Sequence, residues 1–333
     1  MAFHADVFIR YPEPYPMEMA WDDPAPLFRR HFTVDAGLQE AVLSICALGL
    51  GDAYLNGQPV TQDRFIAPIS DYSKTLWYTE YSVTPLLHPG DNLAAVALGN
   101  GLYNEGLHSS WNFDVAPWRD VPKLLFSLEL RYADHTAYVT SDTEWLCMRK
   151  HSPYRFHQMR FGEYYDARCQ TNWMQPECPE DGWRPAVIAA RPTGQLRLCP
   201  CPPIREERTY TCTELFRNAH GDWVFDFGQN MSGYVELTTR QPAGTRLRLV
   251  YAEELNEDGT RRDNSLERHY KDTNEDGDRT QIGYLTCSGA TDCWKPTFAY
   301  YGFRYVIVEG LQTPPQKGEM TAYFVHQQLP VLG

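Results

Sequence analysis

Hydrophobic and polar residues alternate along most of the chain with a period of two. Between residues 126 and 132, every second residue is apolar: Phe126, Leu128, Leu130 and Tyr132. Residues 246–251 and 303–307 follow the same rule. This period is typical of β-strands with one buried and one solvated face. Because the apolar spacing of an amphipathic helix is rare in this sequence, the pattern predicts a nearly all-β protein.

Turn sequences separate these strand-like runs at intervals of roughly ten residues. Asn56-Gly57 follows a run that ends at Leu55 and is typical of a two-residue β-hairpin turn. A second turn sequence, at residues 89–92, precedes an apolar run at 93–98. Many short strands at this interval predict β-sandwiches or jelly rolls.

A proline-rich segment divides the chain. Residues 191–205 contain Pro192, Pro200, Pro202 and Pro203. Proline disfavours helix interiors and central strands because it lacks the amide donor and fixes φ. The length of 333 residues also suits two domains of roughly 100–200 residues each. We therefore predict two domains, residues 1–198 and residues 199–333, each with its own core.

Composition and charge exclude several classes of protein. Hydrophobic residues make up 43% of the chain, aromatic residues 14% and charged residues 22%. A disordered chain lacks the apolar surface that offsets the entropy of ordering, so this composition excludes one. The net charge of −13 repels phosphate polymers and anionic membranes, so we expect neither nucleic acid nor a membrane as a partner.

The N-terminal residues and the cysteines predict the compartment. The first residues lack a basic segment followed by an apolar run, and no stretch of 18 apolar residues occurs in the sequence. We therefore expect neither an ordinary secretion signal nor a membrane span. The nine cysteines are odd in number and lack the close spacing of a disulfide-stapled domain. This favours reduced thiols in a cytoplasmic protein.

Motifs that carry catalytic chemistry are absent from the sequence. It contains no Gly-x-Ser-x-Gly nucleophile elbow, no His-Glu-x-x-His zinc motif and no phosphate-binding loop. Glycoside hydrolysis needs two carboxylates at a defined separation, and spacing alone nominates no such pair. We therefore assign no catalytic residue.

An acidic segment reproduces the first half of a calcium-binding loop. Its oxygen-bearing residues alternate, as calcium ligands do: Asp272, Asn274, Asp276 and Asp278. The twelfth position, where a calcium loop carries a bidentate carboxylate, is Gly283. We keep calcium as an alternative cofactor at these four residues, beside the interpretation of an acidic, solvated loop.

A long loop at residues 100–120 has the composition of a sugar-binding surface. Aromatic rings stack on the apolar faces of sugars, and polar side chains bind their hydroxyls. The loop holds residues of both kinds, including Tyr103, Asn104, Glu105, Trp111 and Trp118. The competing interpretation is a structural loop whose rings pack against the core, because buried tryptophan is commoner than displayed tryptophan.

Several short motifs resemble those of one enzyme family. In the first half they are LGDAYLNG (50–57), PISDY (68–72), LGNG (98–101) and GEYYDAR (162–168). In the second half they are DFGQN (226–230), YAEEL (251–255), WKP (294–296) and YGFRY (301–305). In this order they resemble the N-terminal and concanavalin-like domains of bacterial α-L-rhamnosidases, glycoside hydrolase family 78.

The resemblance implies a fold and a general function. The fold is a galactose-binding-like jelly roll at residues 1–198, followed by a concanavalin-like β-sandwich at residues 199–333. The catalytic acid and base of the family lie on an (α/α)₆ helical barrel, and no part of this sequence matches that barrel. We therefore expect the non-catalytic N-terminal region of an α-L-rhamnosidase. Such a region binds rhamnose-containing carbohydrate or supports a catalytic barrel on a separate chain.

The resemblance also implies candidate ligand residues. In some relatives the first domain binds rhamnose with the help of calcium, through Asp and Asn side chains, and Asp52 and Asn100 are their counterparts by position. With Tyr103, Trp111 and Trp118 they form the predicted carbohydrate-binding set. The alternatives are a hairpin-flanking role for Asp52 and a turn role for Asn100. Two other functions stay open: a stand-alone glycoside hydrolase with an unrecognised carboxylate pair, and a purely structural docking module.

Overall fold

The structure is a computed structural model that describes residue 4 and residues 7–13, 20–66, 68–262 and 265–329. These residues form twenty-three β-strands and five short 3₁₀ helices, and no α-helix occurs among them. The all-β prediction is confirmed. Within the described ranges, no helix has the length and apolar character needed to cross a membrane.

The strands are numbered in chain order. In the first half they are β1 (Phe8–Arg10), β2 (Leu27–Val34), β3 (Glu40–Leu48), β4 (Leu50–Leu55), β5 (Gln58–Pro59), β6 (Thr75–Ser82), β7 (Gly90–Gly99), β8 (Lys123–Arg131), β9 (Thr136–Thr140), β10 (Leu146–Met148), β11 (Tyr154–Gln158), β12 (Gly162–Asp166), β13 (Arg184–Pro185), β14 (Val187–Ala189) and β15 (Gln195–Leu198). In the second half they are β16 (Ile204–Thr211), β17 (Glu214–Arg217), β18 (Trp223–Arg240), β19 (Arg246–Ala252), β20 (Ile282–Thr286), β21 (Thr291–Trp294), β22 (Tyr301–Glu309) and β23 (Met320–Gln327). The 3₁₀ helices are Thr84–Leu86, Phe113–Val115, Ala167–Cys169, Ser265–His269 and Lys317–Glu319.

Two sheets face each other in the first half. One has seven strands in the order β14-β1-β8-β3-β6-β15, with β9 also paired to β8, and the other has six in the order β13-β10-β2-β7-β4-β5. The period-two apolar residues of β8 lie buried between them: Leu124, Phe126, Leu128 and Leu130. Full burial of each such side chain contributes about 1.5–3 kcal/mol. The alternating pattern therefore produces the sandwich that it predicts.

The second half is built on one large sheet. Its ten strands include the path β11-β12-β20-β19-β22-β18-β23-β16, and β17 and β21 pair with β18. The register between β18 and β22 shifts between Asp226 and Met231. This bulge removes residues 227–230 from the ladder with β22. Phe227 stays buried in the core, whereas Gly228, Gln229 and Asn230 are exposed.

A hairpin of the first half belongs to this second sheet. Strands β11 and β12 pair with each other, and β12 runs parallel to β20 with Tyr164 opposite Tyr284. Both strands precede the proline-rich segment at 191–205. The two halves of the sequence are therefore joined through a common sheet as well as through the covalent chain.

One apolar core also joins the two halves. It contains side chains of the six-stranded sheet and of the second half, among them Leu27, Leu93, Ala97, Leu249, Phe298 and Phe303. Gly99 lies against the ring of Phe298, and a Cβ at this glycine would stand 2.5 Å from the ring. Glycine in the LGNG motif therefore makes room for an aromatic side chain of the second half.

The GEYYDAR motif fastens the second half through a buried carboxylate. Glu163 accepts hydrogen bonds from Trp294 Nε1 (3.3 Å) and from the backbone N–H groups of Thr297 (2.9 Å) and Phe298 (2.8 Å). Burial raises the pKa of Glu163 to about 7, although these donors favour its charged form. One glutamate thus satisfies three donors of the other half, one at the end of β21 and two in the turn that follows it.

Candidate functional site

The loop at residues 100–120 begins with a buried asparagine. Asn100 donates its backbone N–H to Nδ1 of His157 (3.0 Å) and accepts a hydrogen bond from the side chain of Asn104 (3.0 Å) at its own side-chain oxygen. The side-chain oxygen of Asn100 is therefore bound by the protein. The residue is 2% exposed, so it offers almost no surface to a sugar in this structure.

Two aromatic residues of the loop pack onto the outer face of the seven-stranded sheet. Tyr103 is buried, with its ring edge-on to Tyr72 at 4.9 Å. Trp118 is partly buried against the same cluster, 6.1 Å from Tyr72. These two rings have the core-packed arrangement of the structural-loop interpretation, so they offer little surface for stacking.

Trp111 differs from the other two rings because it is 40% exposed. The guanidinium of Arg160 lies 4.5 Å from the ring centroid, and Tyr270 packs 5.8 Å away. A cation–π contact of this kind orients the ring without burying it. Of the three predicted stacking residues, Trp111 is therefore the one that the structure displays.

The loop also contains a buried carboxyl group, to which the sequence pattern assigns no role of its own. Glu105 is buried, and neither of its oxygens accepts a hydrogen bond from the described residues. Burial raises the pKa of Glu105 to about 7; Arg160 opposes this rise and Asp114 adds to it. An acidic residue of a long polar loop is usually solvated, so the pattern gives no signal of this burial.

Asp52 lies away from the loop, on the face of β4 that is turned toward the second half. It accepts a hydrogen bond from the hydroxyl of Tyr54 (2.6 Å). Burial raises the pKa of Asp52, while Arg64 counteracts the rise. Nearby, Lys295 donates to Glu206 (2.7 Å). Asp52 thus belongs to a charged cluster between the halves, and no hydrogen bond joins it to Asn100 in the described part of the chain.

The acidic segment at residues 272–278 directs its oxygens toward protein donors. Asp272 accepts from the backbone and the ring of His108, at 2.6 and 2.9 Å. Asn274 accepts from the backbone N–H of Asp278 (2.8 Å), and Asp278 pairs with Arg248 (2.9 Å). The hydroxyl of Tyr284 donates to Asp276 and Asp278. Calcium binding at this segment stays a prediction, and the described residues hold no group of three or more His, Cys, Asp or Glu placed to bind a metal ion.

A polar cleft of about 770 Å³ lies on the second half. The bulge of β18, the loop after β19 and strand β22 line it, through Gly228, Gln229, Asn230, Glu253, Glu254, Leu255, Arg261, Arg262, Arg304 and Tyr305. None of these residues is among those that the sequence pattern nominates for binding. The signal that could have found it is the DFGQN, YAEEL and YGFRY motifs, since each contributes residues to the lining.

Two family profiles match the chain. The α-L-rhamnosidase N-terminal domain matches residues 36–208, and the bacterial α-L-rhamnosidase concanavalin-like domain matches residues 216–326. The chain belongs to the α-L-rhamnosidase family. The resemblance inferred from its motifs is therefore confirmed.

Relatives with this name are much longer than the chain. An α-L-rhamnosidase of Formosa agariphila is 28% identical over 311 residues, which are 90% of this chain and 31% of that protein. One of Streptomyces avermitilis is 32% identical over 306 residues, which are 88% of this chain and 27% of that protein. The chain thus spans about a third of the length of these relatives.

Solved structures give the same proportion. The α-L-rhamnosidase of Aspergillus terreus is similar with a TM-score of 0.84 and 28% identity, over 98% of this chain and 36% of that one. The Streptomyces avermitilis α-L-rhamnosidase complexed with L-rhamnose has a TM-score of 0.82 and 29% identity, over 93% of this chain and 29% of that one. The architecture described above is therefore shared with these enzymes.

Proposed function

We propose that this chain is the non-catalytic N-terminal region of an α-L-rhamnosidase and that it forms a rigid support for the catalytic part of the enzyme. The observation that carries the proposal is the large apolar core that the two halves share. The match to about a third of the length of the relatives supports the assignment to one region of a larger enzyme.

The contacts between the halves explain why the support would be rigid. Phe298 is fully buried against Tyr154 (ring centroids 5.1 Å apart) and against Gly99. Glu163 adds three hydrogen bonds to the turn that carries Phe298. A close-packed core transmits displacement with little give. The two halves therefore form one rigid support, in contrast to two independent domains joined by a flexible linker.

Rhamnoside binding is the second candidate function. It is favoured by Trp111, which displays part of its ring, and by the bound L-rhamnose in the Streptomyces avermitilis relative. The rest of the predicted set, Asp52, Asn100, Tyr103 and Trp118, lies in protein contacts. This candidate therefore depends on Trp111 more than on the other four residues.

A stand-alone hydrolase would need an accessible acid. Glu105 and Glu163 have pKa values raised by burial to about 7, the range in which a general acid works. Both carboxyl groups are buried, at 3% and 0% exposure, so a glycosidic oxygen cannot approach them in this structure. We therefore favour the non-catalytic role over hydrolysis by the chain alone.

Unfolding of the purified chain tests the proposed support. We expect one cooperative transition in urea, seen together by tryptophan fluorescence and far-ultraviolet circular dichroism. Phe298→Ala should lower the free energy of unfolding by about 3–5 kcal/mol, because it removes a fully buried aromatic ring. Tyr300→Ala is the matched control, since Tyr300 is 43% exposed on the same segment and its loss should have little effect.

Two results would contradict the proposal. Separate transitions for the two halves of the wild-type chain would show that the shared core does not couple them. Turnover of an aryl α-L-rhamnoside that survives repurification and disappears on substitution of one carboxylate would show that the chain is itself an enzyme.

A further inference from the structure

We propose that the polar cleft on the second half binds the hydroxyl groups of a neutral pyranoside, with Glu253 as the principal acceptor. The cleft lies in the concanavalin-like half, and no residue of the loop at residues 100–120 lines it. Only the choice of rhamnose as the sugar to test rests on the proposed function in an α-L-rhamnosidase.

The floor of the cleft is held in place by an ion pair between a buried carboxylate, Asp226, and a partly exposed arginine, Arg304. Asp226 accepts two hydrogen bonds from Arg304, each 2.8 Å long, and a third from the backbone N–H of Gly228 (2.7 Å). Gly228 has a φ of +74°, a conformation that glycine adopts readily. These contacts fix the bulge that presents Gln229 and Asn230 to solvent.

The polar groups in the cleft are only partly used by the protein. Asn230 donates its side-chain N–H to one oxygen of Glu253 (3.2 Å). The other oxygen of Glu253 has no hydrogen-bond or ion-pair partner among the described residues. The Nη1 group of Arg304 takes no part in the fork to Asp226. The cleft therefore offers a free carboxylate oxygen and a guanidinium N–H group outside the fork, which match the acceptor and donor character of sugar hydroxyls.

The charge pattern favours a neutral ligand over an anion. Each arginine of the lining already has a carboxylate partner: Arg304 pairs with Asp226, Arg262 with Glu254 and Arg261 with Glu267. An anion would therefore meet arginines whose charge is already balanced by a carboxylate. It would also face the unpaired charge of Glu253, whereas a polyol can bind Glu253 without breaking an ion pair.

Apolar surface and size agree with a sugar as well. Tyr305 and Leu255 supply apolar surface at the wall, and the Arg304 guanidinium lies 4.8 Å from the Tyr305 ring centroid. The volume of about 770 Å³ falls within the range of roughly 300–1,000 Å³ typical of small-molecule sites. A mono- or disaccharide fits this space with its hydroxyls toward Glu253 and one face toward Tyr305.

Calorimetric titration of the full chain with methyl α-L-rhamnoside tests the site. We expect saturable binding with a Kd on the order of 0.1–1 mM, the range for a ligand of few atoms whose hydroxyls exchange water for protein partners. Glu253→Gln should raise the Kd about tenfold or more, because hydrogen bonds to a charged group are the strong ones. Glu257→Gln is the matched control, since Glu257 is exposed in the same loop but does not line the cleft.

Several other results of these titrations would contradict sugar binding in the cleft. An unchanged Kd for Glu253→Gln, or the absence of saturable heat at tens of millimolar sugar, would overturn the proposal. Loss of binding in Trp111→Ala but not in Glu253→Gln would place the sugar on the loop at residues 100–120. Glu253 is exposed, so the melting temperature of its variant should match the wild type. None of these results alters the cooperative unfolding that tests the support function.

Discussion

The buried carboxylate of Glu163 predicts that the chain loses stability as the pH rises. Its pKa is about 7 in the folded protein, against 4.5 for the free side chain. The folded state therefore holds the Glu163 proton more tightly than the unfolded state does between these values. Protonation favours folding, so this contribution is complete below pH 4.5 and is lost as the pH rises through 7.

The size of the effect follows from the two pKa values. A rise of this extent corresponds to about 3 kcal/mol, and about 2–3 kcal/mol of it falls between pH 5 and pH 8. Glu163 is wholly buried, so solvent screening does not reduce the figure as it would at the surface. Burial also raises the pKa of Glu105 to about 7, in the same window. The wild-type profile alone therefore cannot isolate Glu163.

Glu163→Gln isolates the titration because glutamine has no proton to release. Its amide oxygen can accept from the backbone of Thr297 and Phe298, but its NH₂ group would face the Trp294 donor. That mismatch costs stability at every pH. The informative quantity is therefore the difference in unfolding free energy between wild type and variant, measured by urea denaturation at pH 5, 6, 7 and 8.

We expect the wild type to lose about 2–3 kcal/mol relative to Glu163→Gln between pH 5 and pH 8. The same pair of measurements in a Glu105→Gln background should give the same slope, since the two sites do not share a partner. Parallel profiles for wild type and variant would contradict this prediction. They would mean that the three hydrogen bonds keep Glu163 ionised throughout.

Two further predictions concern the loop at residues 100–120. Glu105→Gln should raise the unfolding free energy at pH 8 and leave it nearly unchanged at pH 5. The reason is that it replaces a buried carboxylate that accepts no hydrogen bond. A loss of stability at pH 8 in the same denaturation series would contradict this prediction. Trp118→Ala should lower stability by about 2–3 kcal/mol and Trp111→Ala by less than about 1 kcal/mol. Only Trp118 packs against the core cluster that contains Tyr72 and Tyr103. Thermal melts of the two variants side by side test this ranking.

The strands could be predicted from the sequence because their signal is local. The alternation in β8 names the buried residues Phe126, Leu128 and Leu130 directly, and no distant residue is needed to interpret it. The hairpin turn at Asn56-Gly57 is likewise set by two neighbours, and both residues adopt positive φ in the structure.

The exposure of individual residues in the loop at residues 100–120 could not be predicted in the same way. Asn100, Tyr103 and Trp111 occupy one stretch of similar composition, yet the structure buries the first two and displays the third. What decides the outcome is His157 and Tyr72, which come from other parts of the chain. Composition predicts that such a loop carries aromatic and polar groups, but only the tertiary partners determine which of them face solvent.

The contacts of the acidic segment at residues 272–278 likewise depend on residues that are distant in the sequence. The alternation of Asp272, Asn274, Asp276 and Asp278 is visible in the sequence. The donors that contact it, Arg248 and Tyr284, lie on β19 and β20. The contacts of these two donors could not be predicted from the spacing of the acidic residues, since that spacing is the same for a calcium loop and for a network of ion pairs.

The parallel pairing of β12 with β20 constrains the order in which the chain can fold during synthesis. Residues 164–166 pair with residues 284–286, which leave the ribosome much later. An isolated two-stranded hairpin is only marginally stable in water, so β11 and β12 must wait for the rest of their sheet. Contacts this distant in sequence slow folding because the loop between them must close first. The nascent first sandwich therefore exposes an unfinished hairpin until the second sandwich has been made.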